Sequence, residues 1–148
     1  MHRAVVAVLL TLLAAQPLAG QERQVVQLPG ATPQGLPFSP AVRAGNIVYL
    51  SGQVGFLPGT RQLAPGGIAG ETRQAMENIR RVLEASGTSF ARVLKCTVFL
   101  ADIADYAAMN EVYATFFEAD PPARSTIAAS GLAFGARVEI ECVAVTGP

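Results

Sequence analysis

The chain has 148 residues, 51% of them apolar, and its eleven Lys and Arg balance its eleven Asp and Glu. That length fits one domain with a continuous core and leaves no room for two. It carries no basic block or stripe and no tryptophan, which excludes a nucleic-acid surface, because phosphate binding needs clustered Lys or Arg.

The first segment reads as a leader. Met1-His2-Arg3 is a short, weakly positive start, and Ala4 to Ala15 is an uncharged apolar run. Gln16-Pro17 breaks the run and Leu18-Ala19-Gly20 supplies small residues, the layout of a secretory signal peptide. The run is short for a membrane-spanning helix, and no Cys follows the small residues to carry a lipid. The expectation is a signal peptide over residues 1–20, a mature domain over 21–148 in the periplasm or outside the cell, and no membrane attachment after cleavage.

Val25 to Leu28 predicts a short edge strand or extended arm, followed by a loop rich in Pro and Gly up to Gly35. Ala41 to Ala44 and Ile47 to Leu50 predict a hairpin joined by Gly45-Asn46, with Gly first in a type II′ turn. Ser51 to Val54 reads as a continuation of the second strand, and a further short strand is expected near Arg61 to Leu63. Ala75, Met76, Ile79, Val82 and Leu83 recur at helical spacing within Gly70 to Ser86, with Gly87 as the stop. Arg92 to Leu100 is rich in β-branched and aromatic residues and reads as a buried strand. Asp105 is a candidate N-cap for a second helix facing inward with Met109, Val112, Tyr113 and Phe116, and Asp120-Pro121-Pro122 ends it. Ser125 to Ala129 and Val138 to Val145 are the last strands.

Strands, helix, strand, helix, strands is an α+β order, with two helices on one face of a mixed sheet. In the last strand Val138, Ile140, Cys142 and Ala144 share one face, and Glu139, Glu141, Val143 and Val145 share the other. No helix is left to cover the second face, so self-association is expected. The chain's one histidine is His2, in the leader, and the spacing of Cys96 and Cys142 matches no metal motif, so no metal site is expected. An exported space permits a disulfide, while isolated cysteines in apolar strands also serve as small buried hydrophobes. The sequence leaves both open.

From Phe38 to its end the chain resembles the RidA/YjgF family, once described as the L-PSP endoribonucleases. The resemblance rests on Pro37 to Val42 with Ala44-Gly45-Asn46, on Leu50 to Gln53, and on Gln74 with Glu77-Asn78. It continues through Val93 to Leu100, Met109 to Tyr113 with Phe116-Phe117, Pro122 to Thr126, and Val138 to Glu141. It implies a chorismate-mutase-like α+β domain assembled as a barrel-shaped homotrimer with clefts between subunits. It also implies cofactor-free hydrolysis of small enamine or imine acids to 2-keto acids and ammonia.

Carried over residue by residue, the resemblance makes Arg124 the group that binds the substrate carboxylate, where a planar guanidinium offers two parallel donors. Glu139 matches a glutamate that positions water for attack on the C=N bond. Asn110 matches an asparagine that lines or braces the cleft. Gly52, with Ser51, matches a segment whose backbone lies close to the ligand, although a glycine there also fits a bulge. Phe38 stands where active deaminases carry tyrosine, keeping the aromatic wall and losing a hydroxyl. Thr126 stands where several relatives have cysteine. Export separates the protein from the cytoplasmic source of 2-aminoacrylate, which leaves room for a different imine substrate. The alternative function is a non-catalytic exported trimer that binds small carboxylates or protects other proteins. An endoribonuclease or translation inhibitor ranks last, given the neutral charge.

Overall fold

The structure, a computed structural model, describes residues 22–28 and 37–147. The leader expected over residues 1–20 lies outside them. The chain runs β1 (Arg23–Val26), β2 (Ala41–Ala44), β3 (Ile47–Leu50), β4 (Gln53–Val54), α1 (Gly67–Ala85), β5 (Val93–Leu100), α2 (Tyr106–Ala114), β6 (Ala123–Ala128) and β7 (Val138–Val145). The strands form one sheet in the order β1-β2-β3-β7-β5-β6, with β4 also on β7. β5 and β6 are parallel and the other pairs antiparallel. The parallel pair needs a crossover connection, and α2 supplies it.

The β2–β3 hairpin follows the expected turn: Gly45 has φ 60° and Asn46 stays out of the left-handed region. The strand expected to continue through Ser51 does not. Between Tyr49↔Val143 and Gln53↔Ile140 one side advances four residues and β7 retreats three, so Leu50 to Gly52 carries an extra residue, a bulge. The strand expected near Arg61 to Leu63 is reduced to one bridge, Phe56↔Leu63.

α1 starts at Gly67 rather than Gly70, because Ile68 packs partly on the core a turn before the periodic stretch. It stops as expected: Gly87 takes φ 75° while Thr88 N–H donates to the Leu83 carbonyl at 2.9 Å. Asp105 precedes α2, but its side chain caps nothing. Instead its carboxylate takes both Arg137 Nε (3.0 Å) and Nη2 (2.7 Å) and ties the helix entry to the residue just before β7. A strong bidentate partner outcompetes a backbone N–H for the carboxylate. Asp102 caps the preceding short turn through Ala104 N–H.

Both helices pack on one face of the sheet. Ala75, Met76, Ile79, Val82 and Leu83 from α1 and Met109 from α2 are fully buried against Val48, Val98, Leu100, Val138, Ile140 and Ala144. Each large side chain so buried contributes about 1.5–3 kcal/mol. Cys96 and Cys142 face each other across β5 and β7 in this core and are joined in a disulfide. Among the described residues no helix covers the opposite face, which carries Glu139, Glu141, Val143, exposed Tyr49 and, on β6, exposed Ile127.

Candidate functional site

The expected site residues fall into two clusters. The first surrounds the bulge. Glu139 lies in the middle of the sheet, between Val54 of β4 and Phe99 of β5, on the face away from the helices. Gly52 lies against it so closely that a Cβ there would meet Glu139 Oε1 and come within 2.8 Å of Cδ. The bulge thus serves both readings of Gly52, an extra residue and a close approach. Burial, and then the neighbouring Glu141 carboxylate, push the Glu139 carboxyl above the ordinary glutamate value.

Ser51 fixes the preceding segment from the same bulge. Its Oγ donates to the Ser39 carbonyl at 2.6 Å and its N–H to the Pro40 carbonyl at 3.0 Å. Phe38 is thereby held, 54% exposed, at the rim of a cleft of about 850 Å³ that Gly52, Phe56, Asn78, Phe134 and Glu139 also line. Asn78 of α1 keeps the cleft's edge in place by donating to the carbonyls of Val54 (3.1 Å) and Phe56 (3.0 Å). Phe134 adopts φ 60°, unusual for a bulky residue, and packs edge-on to Phe56 at 5.1 Å.

The second cluster gathers on the helix side of β6. Arg124 pairs in register with Cys96 and Thr126 with Val98, both core positions, so Arg124 and Thr126 point toward α2. On α2, Tyr106, Asn110 and Tyr113 are spaced four and three apart and share one stripe. The Arg124 guanidinium lies 4.7 Å from the centroid of Tyr113 and 5.6 Å from that of Tyr106, and its Nη2 donates to the Tyr106 hydroxyl at 3.0 Å. Two aromatic faces therefore restrict a side chain that would otherwise sample many rotamers. Burial pushes the Tyr113 phenol up to about 12 against the opposing pull of Arg124, so it stays neutral. Among the described residues, Tyr113 Oη and Thr126 Oγ1 are buried without a hydrogen-bond partner, a costly state that a bound polar ligand would relieve.

Arg124, Thr126 and Asn110 are thus brought together by β6 and α2, and Glu139, Gly52 and Phe38 by the bulge. The two groups lie on opposite faces of the sheet. One copy of the chain cannot bring Arg124 and Glu139 to one small ligand. The Glu139 group can orient water or accept its proton; the Arg124 group can fix an organic anion. The tyrosines around Arg124 were not among the expected site residues. Their signal was the shared stripe with Asn110, hidden because Tyr113 also fits a core position and Tyr106 fits a helix start.

Comparison with known proteins gives the same segments a context. Residues 31–146 match the family described as Endoribonuclease L-PSP. The 2-iminobutanoate/2-iminopropanoate deaminase of Mus musculus is 46% identical over 112 residues, which is 76% of this chain and 83% of that protein. The crystal structure of yeast YEO7 superimposes with a TM-score of 0.80 at 36% identity, covering 85% of this chain and all of that one. The crystal structure of Escherichia coli TdcF with bound serine gives 0.77 at 31% identity, covering 84% and 99%.

Proposed function

Since the chain belongs to the RidA/YjgF family, which includes deaminases acting on 2-iminobutanoate and 2-iminopropanoate, we propose that it hydrolyses small imine or enamine acids to 2-keto acids and ammonia. The observation that carries this reading is the division of the site. Arg124 and Glu139 sit on opposite faces of one sheet, Arg124 beside the tyrosines of α2 and Glu139 on the face that no helix covers among the described residues. A homotrimer, in which the Arg124 cluster of one copy abuts the Glu139 cleft of the next, completes the site and buries the uncovered face. The serine held by TdcF, an amino acid with one carboxylate, supports a small carboxylate as the ligand class.

In this mechanism Arg124 holds the carboxylate through two parallel N–H donors, with Asn110 and Thr126 beside it. The Glu139 carboxylate accepts a proton from water as the oxygen attacks the C=N carbon, forming a C–O bond while the C=N π pair goes to nitrogen. The proton passed on to nitrogen gives a carbinolamine; transfer of its hydroxyl proton to nitrogen then breaks the C–N bond as the C=O bond forms, releasing ammonia and leaving the keto acid. No cofactor takes part in these steps. Gly52 leaves room for the Glu139 carboxylate, and Phe38 walls the cleft. The leader-like sequence of residues 1–20 and the core disulfide both support an oxidising location, the periplasm or outside the cell.

The missing hydroxyl at Phe38 favours one competing reading, a trimer that binds small carboxylates without turning them over. One experiment decides between them. Imines generated in situ by an amino-acid oxidase are trapped with semicarbazide, and the mature protein competes for them. Wild type lowers semicarbazone formation under the deaminase reading, and Arg124→Ala loses at least about a hundredfold in kcat/KM, since a charge-assisted fork is worth ~3 kcal/mol or more in a desolvated site. Wild type without effect leaves the binding reading.

A further inference from the structure

We propose that Tyr106 is a second anchor for the substrate's carboxylate, its hydroxyl accepting from Arg124 and donating its own proton to the bound acid. The inference deepens the deaminase reading and rests on its placement of the carboxylate at Arg124.

A tyrosine hydroxyl has one proton and two lone pairs. In the structure one lone pair of Tyr106 Oη is taken by Arg124 Nη2 at 3.0 Å, and among the described residues the hydroxyl donates to nothing. The remaining proton is polarised by the guanidinium that donates to the same oxygen, which strengthens the next hydrogen bond in the chain. Arg124 meanwhile has five N–H donors and uses one on Tyr106. A second Nη2 proton and one on Nη1 remain for an end-on fork, and a carboxylate seated there lies beside the tyrosine oxygen.

Position supports the same role. Tyr113, 4% exposed, forms the floor under the guanidinium, while Tyr106, 42% exposed, stands on the open side from which a ligand arrives. A helix-start tyrosine that served only packing would have no reason to turn its polar end to an arginine on another strand. On the opposite half-site Phe38 brings an aromatic ring without a hydroxyl. Tyr106 supplies one from the Arg124 side instead, so the carboxylate receives three donors rather than two. The ligand class that uses all three is a small acid with a free α-carboxylate, not its amide or ester.

The test uses Tyr106→Phe, which keeps the ring over Arg124 and removes the oxygen alone. Pyruvate, the keto acid of the smallest imine substrate, and its neutral amide, pyruvamide, are titrated calorimetrically into wild type and variant, alongside imine turnover. The expected result is a roughly tenfold weaker pyruvate Kd and a similar rise in KM, with kcat and pyruvamide affinity changed less than about twofold and the melting temperature unchanged. Pyruvate affinity and KM unchanged in Tyr106→Phe, while Arg124→Ala abolishes pyruvate binding and turnover, overturns the role of Tyr106 and leaves the deaminase reading standing. Pyruvate binding unaffected by Arg124→Ala, or absent from wild type, overturns the anion site and with it both readings.

Discussion

Glu139 is placed so that its protonation can be followed from outside the site. Its carboxyl is raised above 4.5 first by burial and then by Glu141, which shares its strand face two residues on. If the carboxylate accepts the proton of water, activity is lost as pH falls through that raised value, so the acid limb of kcat/KM lies above the ordinary glutamate range. Glu141→Gln removes the smaller cause and leaves the larger, so the limb moves down by part of the shift. A limb that does not move in this variant assigns the titration to another group. Stability has a definite sign too. Below 4.5 the side chain is protonated in folded and unfolded chains alike, and as pH rises through the raised value the folded state alone resists ionisation and loses stability. Glu139→Gln carries no such loss, so its melting temperature gains on wild type between acid and neutral pH while its activity falls.

At the scale of elements, the disulfide staples the centre of the sheet. Cys96 of β5 and Cys142 of β7 are direct partners, 46 residues apart in sequence, and both are buried under the helices. Loop-closure entropy for that separation is worth about 4 kcal/mol. The double variant Cys96→Ala, Cys142→Ala should lose about that much unfolding free energy in urea, and oxidised wild type should lose a similar amount when unfolded and refolded in reductant. A loss below about 1 kcal/mol would show that the bridge constrains little. The pairing was open in the sequence because it depends on β5 and β7 being neighbours, and sequence order separates them by α2 and β6. The same physics divides what was legible from what was not. β7 and the β2–β3 hairpin could be read because alternation and a Gly-Asn turn are local signals. The break at Ser51-Gly52 was legible only as one of two readings of Gly52, because a bulge adds one residue without changing composition. Asp105 looked like a cap because its competitor for the carboxylate, Arg137, is 32 residues away. Arg124, Glu139 and Asn110 could be named from the resemblance, but their division between two faces depends on the register of β6 on β5 and of β7 on β5.

Under the proposed function, that division makes the assembly, not the chain, the unit of function. With Arg124 on the helix side and Glu139 on the open side, the proposed site takes one of each from different copies. Arg124→Ala and Glu139→Gln should each be inactive alone, and for different reasons. Co-expressed in one cell and assembled at random, they form mixed trimers in which some clefts receive an intact Arg124 from a Glu139→Gln copy and an intact Glu139 from an Arg124→Ala copy. With equal amounts of each, about one cleft in four satisfies both conditions under cyclic symmetry. Co-expression should therefore recover about a quarter of wild-type kcat/KM, whereas mixing separately purified, non-exchanging variants should recover none. A site contained within one chain predicts no recovery under either protocol, because no copy then holds both groups. A cyclic dimer gives the same one-in-four fraction from two sites, so the mass of the purified assembly, measured on the same co-expressed sample, distinguishes a trimer from a dimer. Complementation depends on neither the identity of the imine nor the role of Tyr106, and so tests the geometry of the half-sites by itself.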